Sequence, residues 1–131
     1  MTQHKTLIII GAGGHGRVVA DCAKSIGCYT NIMFLDDCFA ERKNNHAWQV
    51  VGPIENWLKY LNSADFIVAV GNNTLRASLL QQLIAAKANI TTLIHPSAVV
   101  SKQATIADGV VVFANAVINI GTRIDEGCII N

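Results

Sequence analysis

The chain has 131 residues, 51% hydrophobic and 15% charged, with a formal charge of +1. That length holds one domain, or a small domain with an attached repeat, and the hydrophobic share demands a substantial core and excludes disorder. A charge so close to zero leaves no footprint for nucleic acid or an anionic membrane surface.

Residues 5–10 (KTLIII) form a continuous apolar run, as in a central parallel strand covered on both faces. The run leads directly into Gly11-Ala12-Gly13-Gly14-His15-Gly16, after which Val18, Val19, Cys22, Ala23 and Ile26 mark one face of a helix and Arg17, Asp21 and Lys24 the other. Gly27 stands where a helix C-cap belongs. Residues 30–35 (TNIMFL) read as a second strand ending in Asp36-Asp37, residues 39–47 as a polar surface loop, and residues 48–51 as a short strand. Pro53 is placed to start a helix with Ile54, Trp57, Leu58 and Leu61 on one side. Residues 65–70 (DFIVAV) predict another buried strand, closed by Gly71-Asn72-Asn73. A further helix follows, with Asn73 as its N-cap and Leu75, Leu79, Leu83 and Ala86 on its apolar side. Residues 90–93 finish the sheet. Strands alternating with helices predict a small parallel α/β sheet with right-handed crossovers over residues 1–93.

From residue 94 the periodicity changes. Ile94, Val100, Ile106, Val112, Ile118, Ile124 and Ile130 return every six positions, and Ala98, Ala104, Val110, Ala116, Thr122 and Cys128 follow four places after the first six. Neither a helix, at 3.6 residues, nor a half-buried strand, at 2, repeats at six. A solenoid of hexapeptides does: each short strand turns a corner, one aliphatic side chain per hexad fills the core, and the small residue suits the crowded corner. An antiparallel meander would need more turn residues than are present. Residues 94–131 are therefore read as the first coils of a left-handed parallel β-helix.

The glycine turn carries the chemistry. Gly11, Gly13 and Gly16 satisfy GxGxxG between a strand and a helix, and Asp36 ends the second strand at the distance a dinucleotide fingerprint asks for. Glycines let the backbone approach a ligand, and free N–H groups at a helix N-terminus favour an anion such as a diphosphate. Alone, the motif leaves NAD, another nucleotide and a purely structural turn all open. Cys22, Cys28, Cys38 and Cys128 are scattered, with no CxxC pair and no metal-ligand spacing to the four histidines; reduced thiols and no metal are expected. With no apolar leader at the N-terminus and no run long enough to span a bilayer, a soluble cytoplasmic protein is expected.

LIIIGAGGHGRVVAD (residues 7–21), LDD (residues 35–37), VAVGNNTLR (residues 68–76) and IHPSAVVS (residues 94–101), followed by the hexads, together resemble one family over the full length of the chain. These are the bacterial nucleotide-sugar and sialic-acid acetyltransferases, which join a Rossmann-like N-terminal domain to a left-handed β-helix. The resemblance implies acetyl transfer from acetyl-CoA to an amine or hydroxyl of a nucleotide-linked sugar or sialic acid, in surface-glycan biosynthesis, by a homotrimer. It places the sugar nucleotide across the N-terminal domain, on Gly13, Gly14, His15 and Arg17, on Asp36 and Asp37 near the base, and on Gly71 and Asn72. His15 receives a supporting role near the sugar. Arg17 is either a diphosphate ligand or a solvated first-turn residue, and the two aspartates either read base N–H groups or merely end the strand. His95 and Pro96 are read as structural, and His4 and His46 carry no argument.

The family's general base is a histidine seven positions after an asparagine that Asn131 matches. Asn131 is thereby assigned a supporting catalytic role, and the 131 residues are expected to be an N-terminal portion, inactive without the base. The competing readings are a non-catalytic nucleotide-sugar binding module and an NAD-dependent oxidoreductase.

Overall fold

The computed structural model describes residues 5–131. In chain order the first part contains β1 (Thr6–Ile10), α1 (Gly14–Ile26), β2 (Asn31–Leu35), a small hairpin of β3 (Asn44–Asn45) and β4 (Trp48–Gln49), a 3₁₀ segment (Ile54–Tyr60), β5 (Asp65–Val68), α2 (Asn73–Ala85) and β6 (Asn89–Ile90). Leu7, Ile8, Ile9 and Ile10 are wholly buried, as an unbroken aliphatic strand requires. β1 is flanked in parallel by β2 and β5, and β6 lies beyond β5, giving the order β2-β1-β5-β6. Val19, Ala20 and Ala23 of α1 pack on one face of this sheet with Leu7, Ile9 and Ile67. Leu79 and Leu83 of α2, with Trp57, cover the other face over Ile8, Ile10 and Phe66. Gly27 closes α1 at φ +82°, its N–H donating to the Ala23 carbonyl.

Several local expectations change. The segment after Pro53 is 3₁₀ rather than α, so three residues make a turn and Ile54, Trp57 and Tyr60 face the sheet. Leu58 falls outside that row and is 62% exposed. Asn72, not Asn73, caps α2: its Oδ1 accepts the Leu75 N–H at 2.9 Å. Leu75 consequently sits in the exposed first turn. The polar loop contains β3, and Asn45 within it is buried. Of residues 48–51 only Trp48 and Gln49 pair in the hairpin; Val50 instead bridges to Phe34 of β2.

Seven two-residue strands follow: β7 (Leu93–Ile94), β8 (Val99–Val100), β9 (Thr105–Ile106), β10 (Val111–Val112), β11 (Val117–Ile118), β12 (Arg123–Ile124) and β13 (Ile129–Ile130). Val112 is in register with Ile94 and Ile130, Ile118 with Val100, and Ile124 with Ile106. Three hexads thus close one coil of a parallel β-helix, and the sheets β7-β10-β13, β8-β11 and β9-β12 are its three walls. Val110, Val112, Ala116, Ile118 and Ile124 are buried together, so the aliphatic and the small columns both line the interior. Burying each branched side chain contributes roughly 1.5–3 kcal/mol. A third column makes the corners: Gly109, Asn115, Gly121 and Gly127, six apart, have φ of +75°, +63°, +80° and +72°. This left-handed conformation favours glycine and tolerates asparagine.

The walls have different outer surfaces. Leu93 and Val111 point out of the coil into the α1 side of the sheet's core. Val99 and Val117, opposite one another on the second wall, are 63% and 62% exposed. Thr105 and Arg123 make the third wall polar.

Candidate functional site

β1 is the strand from which the chain departs in both directions across the sheet, so the ends of β1 and β5 flank a topological switch point, where open α/β sheets bind ligands. The three motif glycines behave differently there. Gly11 has φ +113°, and a Cβ on it would stand 2.6 Å from the Ala69 carbonyl oxygen. A Cβ on Gly16 would stand 2.0 Å from the Gly11 oxygen, so this residue lets α1 close onto the turn. Gly13 and Gly14 face open space, with no heavy atom within 4 Å of a Cβ. Gly13 is the N-cap of α1 and offers no side-chain cap, which leaves the first N–H groups of the helix available to an anion.

The loop between β2 and β4 grips this turn. Asp36 Oδ2 accepts the Ala12 N–H at 2.7 Å and its Oδ1 accepts the Cys38 N–H at 2.8 Å. Arg42 Nη1 donates to the Ala12 carbonyl at 2.6 Å, and Asn45 Nδ2 donates to Ala12 and Gly13 carbonyls at 2.9 and 3.0 Å. Asp37 Oδ1 accepts the Ile54 N–H at 3.0 Å, which starts the 3₁₀ segment. Arg42 and Asn45 were not legible as site residues, because nothing in their local sequence marks a contact some 30 residues back along the chain. Arg17 is exposed and its Nη1 lies 3.1 Å from His46 Nε2.

Gly71 and Asn72 close the other side of the switch point, where Asn72 is committed to capping α2. Arg76 binds this loop to the β-helix. Its Nη1 donates to the Val70 carbonyl at 3.0 Å, its Nη2 to Asn73 Oδ1 at 2.7 Å and its Nε to the Gly127 carbonyl at 3.1 Å. Beside it, Leu80 packs where Gly109 and Gly127 have no side chain.

His15, on the first turn of α1, stands edge-on to Phe113 of the β-helix. Its Nε2 is buried and has no partner among the described residues. Burial, with the Arg76 charge adding to it, holds the imidazole below its ordinary pKa of 6.5, so it is neutral at pH 7. The 18-residue coil then assembles a column that was not foreseen as a unit. His95 N–H donates to the Val112 carbonyl and Phe113 N–H to the Ile130 carbonyl, so His95, Phe113 and Asn131 occupy one position on three successive coils. Together with Val18, Asp21 and Cys22 of α1 they line a cavity of about 320 Å³. Val18, expected to be buried, is 49% exposed because it forms this cavity's wall. Burial pushes the Cys22 thiol up to about 11, so it serves the cavity as an apolar surface and not as a nucleophile. The signal that could have found the column was three multiples of the six-residue period.

All four cysteines are free thiols. Among the described residues no group of three His, Cys, Asp or Glu could hold a metal ion, and no helix is long and apolar enough to cross a membrane.

Comparison with known proteins gives consistent matches. The family described as PglD N-terminal domain matches residues 6–83. A UDP-N-acetylbacillosamine N-acetyltransferase of Bacillus subtilis (strain 168) is 36% identical over 112 residues, 84% of this chain and 52% of the relative. The acetyltransferase domain of PglB from Neisseria gonorrhoeae FA1090, solved in complex with acetyl coenzyme A, superposes with a TM-score of 0.91 at 39% identity, covering 98% of this chain and 62% of that one. A mutant of perosamine N-acetyltransferase from Caulobacter crescentus, solved with CoA and GDP-perosamine, does so with a TM-score of 0.84 at 31% identity over 96% of this chain and 60% of that one. The chain thus spans about half the length of the curated relative and about three-fifths of the solved ones.

Proposed function

The chain belongs to the PglD N-terminal domain family, and on that premise we propose that it binds the acceptor in an acetyl-CoA-dependent sugar N-acetyltransferase of bacterial surface-glycan biosynthesis. The acceptor is a nucleotide-linked amino sugar; an amine is favoured over a hydroxyl because the relatives are named as N-acetyltransferases. Residues 1–93 serve as the nucleotide-sugar unit and residues 94–131 as the start of the β-helix. The observation that carries the reading is the uncapped α1 N-terminus, bare at Gly13 and Gly14, one helical turn from the His95–Phe113–Asn131 column.

Within this reading the diphosphate meets the free N–H groups of α1 and the sugar runs past His15 toward the column. Asp36 acts chiefly by holding the turn, and Asp37 keeps its second oxygen for the base. Gly71 and Asn72 form the opposite lip. Arg17 contributes to the local positive field more than by direct contact, since its guanidinium is turned to His46. His15, neutral and edge-on to Phe113, has a supporting role beside the sugar, its buried Nε2 being closed to direct contact. Asn131 supports the reacting end. The sugar amine attacks the thioester carbonyl of acetyl-CoA: an N–C bond forms, the C–S bond breaks, the amine proton passes to a base and CoA leaves as its thiol. The residues described here bind and orient the amine, which converts an encounter into an intramolecular-like step.

The assembly in this reading is a homotrimer, supported by the exposed apolar wall at Val99 and Val117. The compartment is the cytoplasm, in keeping with four free thiols. The test is calorimetry of the protein with UDP-, TDP- and GDP-linked amino sugars and with NAD. Tight binding of one of the nucleotide sugars is expected, and tighter binding of NAD than of every nucleotide sugar would reject the reading.

A further inference from the structure

The His95 imidazole is held from one side. Ser97 N–H donates to Nδ1 at 3.0 Å and Ser97 Oγ lies 2.9 Å from the same nitrogen. An amide N–H can only donate, so Nδ1 is an acceptor and the proton of the neutral ring is on Nε2. The hydroxyl is oriented in turn: Ser97 Oγ accepts the Asn115 N–H at 3.0 Å, which leaves its own hydrogen for Nδ1. Asn115 is the left-handed corner of the next coil, with φ +63°. Two coils therefore cooperate to fix one ring in one tautomer, and Nε2–H has no acceptor among the described residues. A turn needs the Nδ1 contact alone. It does not need the ring to line a cavity with Val18, Cys22, Phe113 and Asn131.

We propose that His95 is a specificity-determining residue, donating its Nε2–H to an oxygen of the acceptor sugar, a ring hydroxyl or the carbonyl of an N-acyl substituent, with Ser97 as its positioning residue. The inference rests on the acceptor reading above. Along α1, at 1.5 Å per residue, Val18 lies roughly 5 Å beyond His15, so the cavity starts within reach of a sugar carried by a diphosphate at the helix N-terminus. Phe113 connects the two points, since its ring meets His15 and also lines the cavity. It presents an apolar surface to sugar C–H groups while His95 selects an oxygen above it. A fixed donor needs no reorganisation on binding. It also discriminates, because Nε2–H attracts an acceptor oxygen and repels an ammonium group at the same position.

The experiment measures the sugar increment, the affinity of the protein for a UDP-, TDP- or GDP-linked amino sugar divided by its affinity for the free nucleoside diphosphate. His95→Phe should reduce that ratio about three- to tenfold, the value of one neutral hydrogen bond, while affinity for the free nucleotide stays within about twofold. His95→Gln, which keeps a donor, should recover part of the loss. Ser97→Ala, which leaves the ring and the Ser97 N–H in place, should cost less than His95→Phe and serves if His95→Phe does not fold. Nitrogen-15 spectra of the native protein should show Nε2 protonated and Nδ1 not, with the Nε2–H signal moving on addition of nucleotide sugar but not of nucleotide. A sugar increment present in the native protein and unchanged in both variants, or an Nδ1–H tautomer, overturns the role of His95 and leaves the acetyltransferase reading standing. Absence of any sugar increment in the native protein overturns both.

Discussion

His15 meets Phe113 edge-to-face, with ring centroids 5.9 Å apart and planes at 86°. One residue belongs to the glycine turn's helix and the other to the second coil of the β-helix, so this contact joins the two chemical regions of the molecule. It also removes His15 from water, which is the larger cause of its lowered pKa.

That burial makes stability depend on pH. The unfolded chain binds a proton at His15 below its ordinary pKa of 6.5, whereas the folded chain resists it until lower pH. The resulting stability is present above the unfolded pKa and is lost as pH falls through the folded one. Urea midpoints should decline from pH 7 to pH 5, and the decline should be shallower in His15→Gln. Equal slopes for the two proteins would contradict the assignment.

Gly13 and Gly16 should respond in opposite ways to substitution. Gly13→Ser supplies the side-chain cap α1 lacks, so stability should rise by about 0.3 kcal/mol while nucleotide binding weakens, because the cap occupies the anion's N–H groups. Gly16→Ala drives a Cβ into the Gly11 carbonyl and should cost several kcal/mol, about 2–4, in the manner of an overpacked core. Thermal melts paired with calorimetry distinguish these outcomes.

Arg76 is expected to be irreplaceable by lysine. A single ammonium cannot reach the Val70 and Gly127 carbonyls and Asn73 Oδ1 together, as the planar guanidinium does. Arg76→Lys and Arg76→Gln should each lose about 1–3 kcal/mol. Hydrogen exchange should accelerate at the Gly127 corner and at the start of α2 before it does in β1. Uniform acceleration through the sheet would argue against a local bracket.

Val117→Lys tests the exposed wall. Val99 and Val117 stand opposite each other in the β8-β11 sheet, and a charge there leaves the monomer's core untouched. Sedimentation should show a smaller assembly with an unchanged melting profile of the dissociated chain. An unaltered sedimentation coefficient would exclude this wall from the subunit interface.

Much of the architecture was legible because it is written in local spacing. The six-residue column, the apolar runs at β1 and β5 and the Gly11–Gly16 turn each reflect neighbours a few residues apart, where backbone geometry maps position onto direction. The corners at Gly109, Asn115, Gly121 and Gly127 carried the same signal and could have been read with it. Leu58 failed for an equally local reason: the same apolar residues satisfy an α or a 3₁₀ turn, and docking against the sheet selects the second.

The sequence by itself determined the strands β1, β2 and β5, the helices α1 and α2, the six-residue coils and the family the motifs resemble, but not that Leu93, read as finishing the sheet, is the first strand residue of the β-helix. Only the tertiary structure decided that Asp36 spends both oxygens on backbone N–H groups, that Arg42 and Asn45 clamp Ala12, and that Arg76 spans the loop and the β-helix. It alone brought His95, Phe113 and Asn131 to one side of Val18 and Cys22. These pairings depend on how an 18-residue coil closes and which wall of it docks on α1, and such long-range contacts leave no periodic mark at the residues that make them.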